Sequence, residues 1–178
     1  MNYFFLFKGY FIYEKYNSFR EVKIIKYPFV RQLDQNTCGP ACLLMILRFY
    51  GGNTSIEKLT DLLNTNKFGT TASNIVDISK NLGFDCYGIK TDINKLNKLT
   101  FPCIAHIKNN NGLYHYIVIY KLNKKKKTLT IADPSKKIYK IKINDFVKNW
   151  TGVILNFIPI KSIQILNEKD DYFKYIIN

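Results

Sequence analysis

Residues 32–42 read QLDQNTCGPAC. They place a thiol, Cys38, just ahead of a glycine, a proline and the apolar run ACLLMIL. Pro40 fits the first turn of a helix, where its missing N–H leaves no bond unmade. The thiol therefore stands at the mouth of a helix. Such a position favours the thiolate, the form of cysteine that attacks carbonyl carbon. A thiol nucleophile needs a base or cationic partner, and that partner needs an orienting group. The chain holds two histidines, His106 and His115. His115 lies in LYHYIVIY (113–120), and the run TLTIAD (128–133) ends in Asp133. A hairpin pairing these two runs brings both side chains to one end of a sheet. A carboxylate there fixes the tautomer of the imidazole. Acyl transfer also needs donors for an oxyanion. The backbone N–H groups at the helix start are one kind, and the side-chain amide of Gln32, on the incoming loop, is another. The candidate catalytic set is thus Cys38, His115, Asp133 and Gln32, with His106 as the fallback base.

Each of these residues also has a plain structural reading. Small residues favour helix starts, a strand histidine can simply be packed, and Asp-Pro commonly marks a turn. Spacing alone leaves the catalytic and structural readings both open.

The elements that must position the set follow from the rest of the chain. Its 178 residues bound one domain with short appendages, and 47% hydrophobic content supplies a core. The residues after Cys38 are apolar on all sides, which predicts a buried helix running to about Tyr50 and stopping at Gly51-Gly52. TSIE (54–57) reads as a capping box with Thr54 as the cap, opening a second helix. GTTASNIVDISKNLGF carries a third, with Ile75, Ile78 and Leu82 at helical spacing and Gly83 as its stop. The period then changes. CYGIK (86–90), PCIAHI (102–107), LYHYIVIY, TLTIAD, KIYKIKI (137–143) and GVILNFI (152–158) read as strands, with short helices at 92–98 and 144–150. KIIKYPFV (23–30) reads as a further strand, placed at an edge by Pro28. Helices first and an antiparallel sheet second predict an α+β fold. The expected organisation is an N-terminal extension over 1–27, a domain over 28–159 and a tail over 160–178.

Composition narrows the function classes. The net charge is +14, with 27 basic against 13 acidic residues, which predicts attraction to something negative. Abundant Lys, Asn, Ile and Tyr weaken that reading, because biased base composition yields the same flavour. No nucleic-acid-binding motif is found, so no nucleic-acid partner is expected. Lys124–Lys127 read as a solvated hairpin turn, with anionic lipid as the alternative and at most peripheral membrane contact. Four cysteines without a CxxC pair give neither a disulfide framework nor a zinc site, so no metal or cofactor is expected. They point to a reducing compartment, hence the cytoplasm. No run of about 20 apolar residues predicts a membrane helix, and MNYFFLFKGYFIYEKY does not read as a signal peptide. Cys42, Cys86, Cys103 and Trp150 read as core.

From about Pro28 to Pro159 the chain resembles the C39 peptidase domain, which trims double-glycine leaders from bacteriocins and related secreted peptides. The resemblance rests on seven pieces in order: VRQLDQNTCGPACLLMILRFYGG, TSIEKLTDLL, FGTTASNIVDISKNLGF, FPCIAHI, YHYIVIY, TIADP and FVKNWTGVIL. It implies a papain-like α+β fold with Cys38 as nucleophile, His115 as its partner, Asp133 as the orienting carboxylate and Gln32 as the oxyanion donor. It further implies cleavage after Gly-Gly or Gly-Ala, a leader peptide as substrate and an ABC exporter as partner, at the inner face of the plasma membrane. The alternative it leaves open is a non-catalytic leader-binding module, since some exporter relatives have lost the cysteine. Two features depart from the pattern. Thr37 stands where an acidic residue is common, with an expected tuning of activity, and no GxxxxGK[ST] phosphate loop accompanies the domain.

Overall fold

The computed structural model describes residues 6–7, 10–11, 27–109, 111–161 and 163. The expected extension over 1–27 and tail over 160–178 lie almost wholly outside them. Leu6–Phe7 (β1) and Tyr10–Phe11 (β2) pair in a two-residue antiparallel ladder.

Three helices come first. Cys38–Phe49 (α1) is buried from Cys38 through Leu47, as an all-apolar helix must be. It ends at Gly51, whose positive φ of 84° suits glycine, and the N–H of Gly52 donates back to the Leu47 carbonyl at 2.9 Å. Ile56–Leu62 (α2) starts one residue later than TSIE suggested. Its cap is Ser55, whose hydroxyl accepts from the Lys58 N–H at 3.1 Å. Thr54 is instead buried with its Oγ1 unpartnered. The later start delivers Ile56, the first helical residue, into the core. Ala72–Asn81 (α3) is capped by Thr71 and closed by Gly83, whose φ is 109°.

The second half forms one six-stranded sheet. Its strands are Phe84–Lys90 (β3), Cys103–Lys108 (β4), Tyr114–Asn123 (β5), Thr128–Ala132 (β6), Ile138–Lys142 (β7) and Trp150–Pro159 (β8). The order is β3-β8-β4-β5-β6-β7 and every pairing is antiparallel. A 3-10 turn spans Ile93–Lys98, and the short helix Ile143–Val147 (α4) precedes β8. The layout is the expected α+β, and each strand begins and ends within three residues of its apolar run.

The exception is KIIKYPFV. Residues 27–30 join no ladder, and 23–26 lie outside the described residues. Proline leaves no N–H at position 28 for a ladder bond. The segment is fixed by side chains instead: the Tyr120 hydroxyl donates to the Pro28 carbonyl, and the Tyr27 and Tyr120 rings lie 4.9 Å apart.

The sheet divides the core in two. One face carries Ile104, Tyr116, Val118, Tyr120 and Leu155 against α1–α3. The other carries Cys103, Ile117, Ile119, Leu129, Ile131 and Ile154 against Leu96, Phe146 and Trp150. Cys42, Cys86 and Cys103 are all buried. Among the described residues no helix is long and apolar enough to cross a membrane.

Candidate active site

The loop before α1 is wound tightly by two residues. The Asp34 carboxylate accepts from the N–H groups of Asn36 and Thr37 at 2.8 and 3.0 Å. The Thr37 hydroxyl accepts from the N–H groups of Leu33 and Asp34 at 2.9 and 3.0 Å and donates to the Asp34 carbonyl at 3.2 Å. Thr37 is thus buried and spent on shaping the turn, not on capping α1. That turn sets where the helix begins, and Cys38 is its first residue. The next residue must be glycine. A Cβ on Gly39 would come within 2.9 Å of Thr70 Cβ, so the 65–70 loop could not close over the first turn of α1.

The sheet supplies the partners. His115 is the second residue of β5, and Asp133 directly follows β6, at the same end of the hairpin. Nε2–H of His115 donates to Asp133 Oδ1 at 2.8 Å, and both side chains are buried. With Nε2 so engaged, Nδ1 is the nitrogen left to face Cys38, which lies close enough to act on the charge of His115. Burial alone would lower the pKa of His115. The bond to Asp133, and the negative charge that Asp133 and the nearby Cys38 can carry, outweigh it and push the value up to about 9. Burial acts on Asp133 in the raising direction. The bonds from His115 and Ser135 outweigh that as well, holding this carboxyl well below the usual carboxylate range.

Ser135 and Lys136 were missed in the sequence. Ser135 donates to Asp133 Oδ1 twice, from its N–H at 3.0 Å and its hydroxyl at 2.6 Å, and Lys136 Nζ lies 3.3 Å from Oδ2. The signal was present: Asp-Pro-Ser after a strand is the composition of a turn in which the Asp side chain binds the backbone two residues on.

Gln32 is placed differently. Its backbone N–H donates to the Pro134 carbonyl at 3.1 Å, and Arg31 donates to the Lys136 carbonyl at 3.3 Å. These bonds tie the loop ahead of Cys38 to the turn that carries Asp133, and so align the helical half with the sheet. The Gln32 side chain turns to its own loop, where Nε2 donates to the Asp34 carbonyl at 2.6 Å. The structure therefore bonds His115 to Asp133 and sets Cys38 beside them, while Gln32 is anchored next to this group by its backbone. His106 joins neither. Its Nδ1 meets Thr151 Oγ1 at 3.0 Å, and its ring stacks on Tyr114 at 5.0 Å.

A thiol at a helix start, beside an imidazole that a buried carboxylate orients, can form a thiolate–imidazolium pair and transfer acyl groups. Known proteins carry the same arrangement of elements. A family model described as the Peptidase C39 family matches residues 26–162. The lactococcin-G-processing and transport ATP-binding protein LagD of Lactococcus lactis is 38% identical over 128 residues, 71% of this chain and 18% of that protein. The transport/processing ATP-binding protein ComA of Streptococcus pneumoniae is 35% identical over 130 residues, 72% of this chain and 18% of that one. The chain thus spans about a fifth of the length of these curated relatives. Among solved structures, the peptidase domain of Streptococcus ComA, a bifunctional ABC transporter in quorum sensing, is 39% identical with a TM-score of 0.69. That alignment covers 75% of this chain and 98% of that one. A double glycine motif protease from an AMS/PCAT transporter, solved with its leader peptide, is 30% identical with a TM-score of 0.68, covering 75% and 91%.

Proposed function

The chain belongs to the peptidase C39 family, and from that premise we propose that it is a cysteine endopeptidase. It cuts leader peptides after a Gly-Gly or Gly-Ala pair during the maturation and export of bacteriocin-like peptides. The observation that carries this reading is the buried His115–Asp133 bond set beside Cys38 at the head of α1.

The steps follow from these groups. Cys38 passes its proton to His115, and the thiolate adds to the carbonyl carbon of the second small residue. The developing oxyanion lies against the backbone N–H of Cys38 and the Gln32 amide. One Nε2 hydrogen of Gln32 is held by the Asp34 carbonyl, which orients the amide and leaves the second hydrogen for the substrate. His115 then gives its proton to the departing amine, and the C–N bond breaks to leave a thioester on Cys38. Water, deprotonated by the same imidazole, releases the leader and restores the thiol. Asp133 stays ionised throughout and keeps Nε2–H pointed at itself, so that Nδ1 faces the sulfur. The partner in this reading is an ABC exporter, on the same chain or a separate one, and the domain works at the cytoplasmic face of the membrane.

The test is a precursor peptide with a Gly-Gly leader, incubated with wild type, Cys38→Ala and His115→Ala, with products read by mass spectrometry. Cleavage between the second glycine and the next residue, by wild type alone, is the expected result. Cleavage by Cys38→Ala would contradict the mechanism. Leader binding by the wild type without cleavage would favour the non-catalytic module.

A further inference from the structure

The far end of the β5–β6–β7 unit has two unlike faces. Leu122, Leu129 and Ile141 lie opposite one another across the three strands and pack into the second core cluster. The residues between them point the other way. Lys121 pairs with Thr130, which pairs with Lys140; Asn123 pairs with Thr128, which pairs with Lys142. Residues opposite in an antiparallel ladder share a face, so these six form two rows on one surface. The turn Lys124–Lys127 closes the end of that surface, and all seven lysines are exposed. Among the described residues the patch contains no carboxylate. Asp145, the acidic group that bears on Lys142, already holds Lys148 Nζ at 2.8 Å. Lys136 is excluded from the patch, since it pairs with Asp133.

We propose that this face, Lys121, Lys124–Lys127, Lys140 and Lys142 on the strand rows and their turn, docks on an anionic phospholipid surface. Its chemistry fits that partner. Seven ammonium groups spaced over a sheet face, with only Thr and Asn between them, match a plane of phosphates read without sequence. Among the described residues the face offers no aromatic ring on which a base could stack and no arginine fork, the usual devices for binding nucleic acid. The choice of a membrane rests on the reading that the domain works beside an exporter; the geometry of the face does not. The orientation suits that reading. His115 is the second residue of β5 and Lys124 follows its last, so at strand rise the catalytic end stands roughly 30 Å from the lysine turn. Docking by this end of the unit leaves the catalytic end clear of the surface.

The experiment is co-sedimentation of the full chain with vesicles of phosphatidylcholine alone, and with vesicles in which a third of the lipid is phosphatidylglycerol. Binding to the anionic vesicles only, weakened by salt, is expected. The triple variant Lys121→Gln, Lys140→Gln, Lys142→Gln removes charges worth ~fivefold each near such a surface, so its affinity falls by ~100-fold. A control triple, Lys80→Gln, Lys90→Gln, Lys98→Gln, carries the same net charge and retains binding. Cleavage of a soluble precursor stays unchanged in both triples, which shows intact folding and separates this proposal from the catalytic one. An equal loss in the two triples would overturn the proposal in favour of net charge alone. So would absent binding to anionic vesicles, or a patch variant that loses a single-stranded oligonucleotide while still binding vesicles.

Discussion

The two histidines sit on paired strands, one step apart, and are driven in opposite directions. Across the β4–β5 ladder His106 faces Tyr116 and Ile107 faces His115, so the pleat points the two imidazoles to opposite sides of the sheet. Burial disfavours the charged form of both. His115 meets a buried carboxylate and a thiol, and its pKa rises to about 9. His106 meets a hydroxyl, two tyrosine rings and the charge of His115 itself, and its pKa falls. The Thr151 hydroxyl donates to the His106 carbonyl, so Nδ1 of His106 must donate to Thr151 Oγ1. Residue type is therefore a poor guide to chemistry here, and the facing groups decide it.

The most severe way to break this comparison is to delete each ring in turn. His115→Ala loses roughly 10^4-fold in kcat/KM on a Gly-Gly precursor, the scale of losing a proton-transfer group and the partner of the nucleophile. His106→Ala stays within about threefold, since it removes a packed ring and no reacting group. Equal losses would erase the distinction.

The next largest effect comes from neutralising the carboxylate while keeping its shape. Asn in place of Asp133 still accepts from Nε2–H but carries no charge. The His115 pKa then drops from about 9 towards its ordinary value, and the alkaline limb of the pH–rate profile moves with it. We expect about a tenfold loss at neutral pH, consistent with removing a buried charge worth at least one pK unit. Histidine NMR titration follows the shift directly.

The same displacement reaches stability. The folded pKa of His115 lies above its unfolded value near 6.5, so its contribution is full below that pH and is lost as pH rises to about 9. Wild type loses more thermal stability than His115→Ala between pH 6 and pH 9.5. A parallel decline in the two proteins would argue against the raised value. The smallest effect falls on the turn. Ser135→Ala removes one hydroxyl bond to Asp133 Oδ1, costs about 1 kcal/mol in denaturant titration and leaves cleavage within a few-fold.

Much of this was legible in the chain. The helix after Cys38 was written in ACLLMIL, because a helix apolar on all sides has nowhere to go but the core. The His115–Asp133 bond followed from two strand runs and the length of their hairpin. The failures have separate causes. Thr54 and Ser55 both suit a cap, and the choice fell to the need to bury Ile56. KIIKYPFV has a strand's composition, yet Pro28 and the Tyr120 hydroxyl fix residues 27–30 outside any ladder. Thr37 read as a departure from the family pattern, but its hydroxyl winds the turn that sets Cys38 in place. Such roles depend on backbone groups folded close by, which composition does not display.

The central claim is that Cys38 is held as a nucleophile by His115. It is tested most directly by alkylating the native protein with iodoacetamide across pH and locating the label by mass spectrometry. The other three thiols serve as internal controls: all are fully buried, and desolvation raises each of their pKa values, that of Cys86 to about 12. The account predicts that Cys38 is labelled first, well before the others, and that His115→Ala slows that labelling sharply while leaving the other three unchanged. Labelling of all four cysteines at one rate, or of Cys38 at the same rate with and without His115, would contradict it.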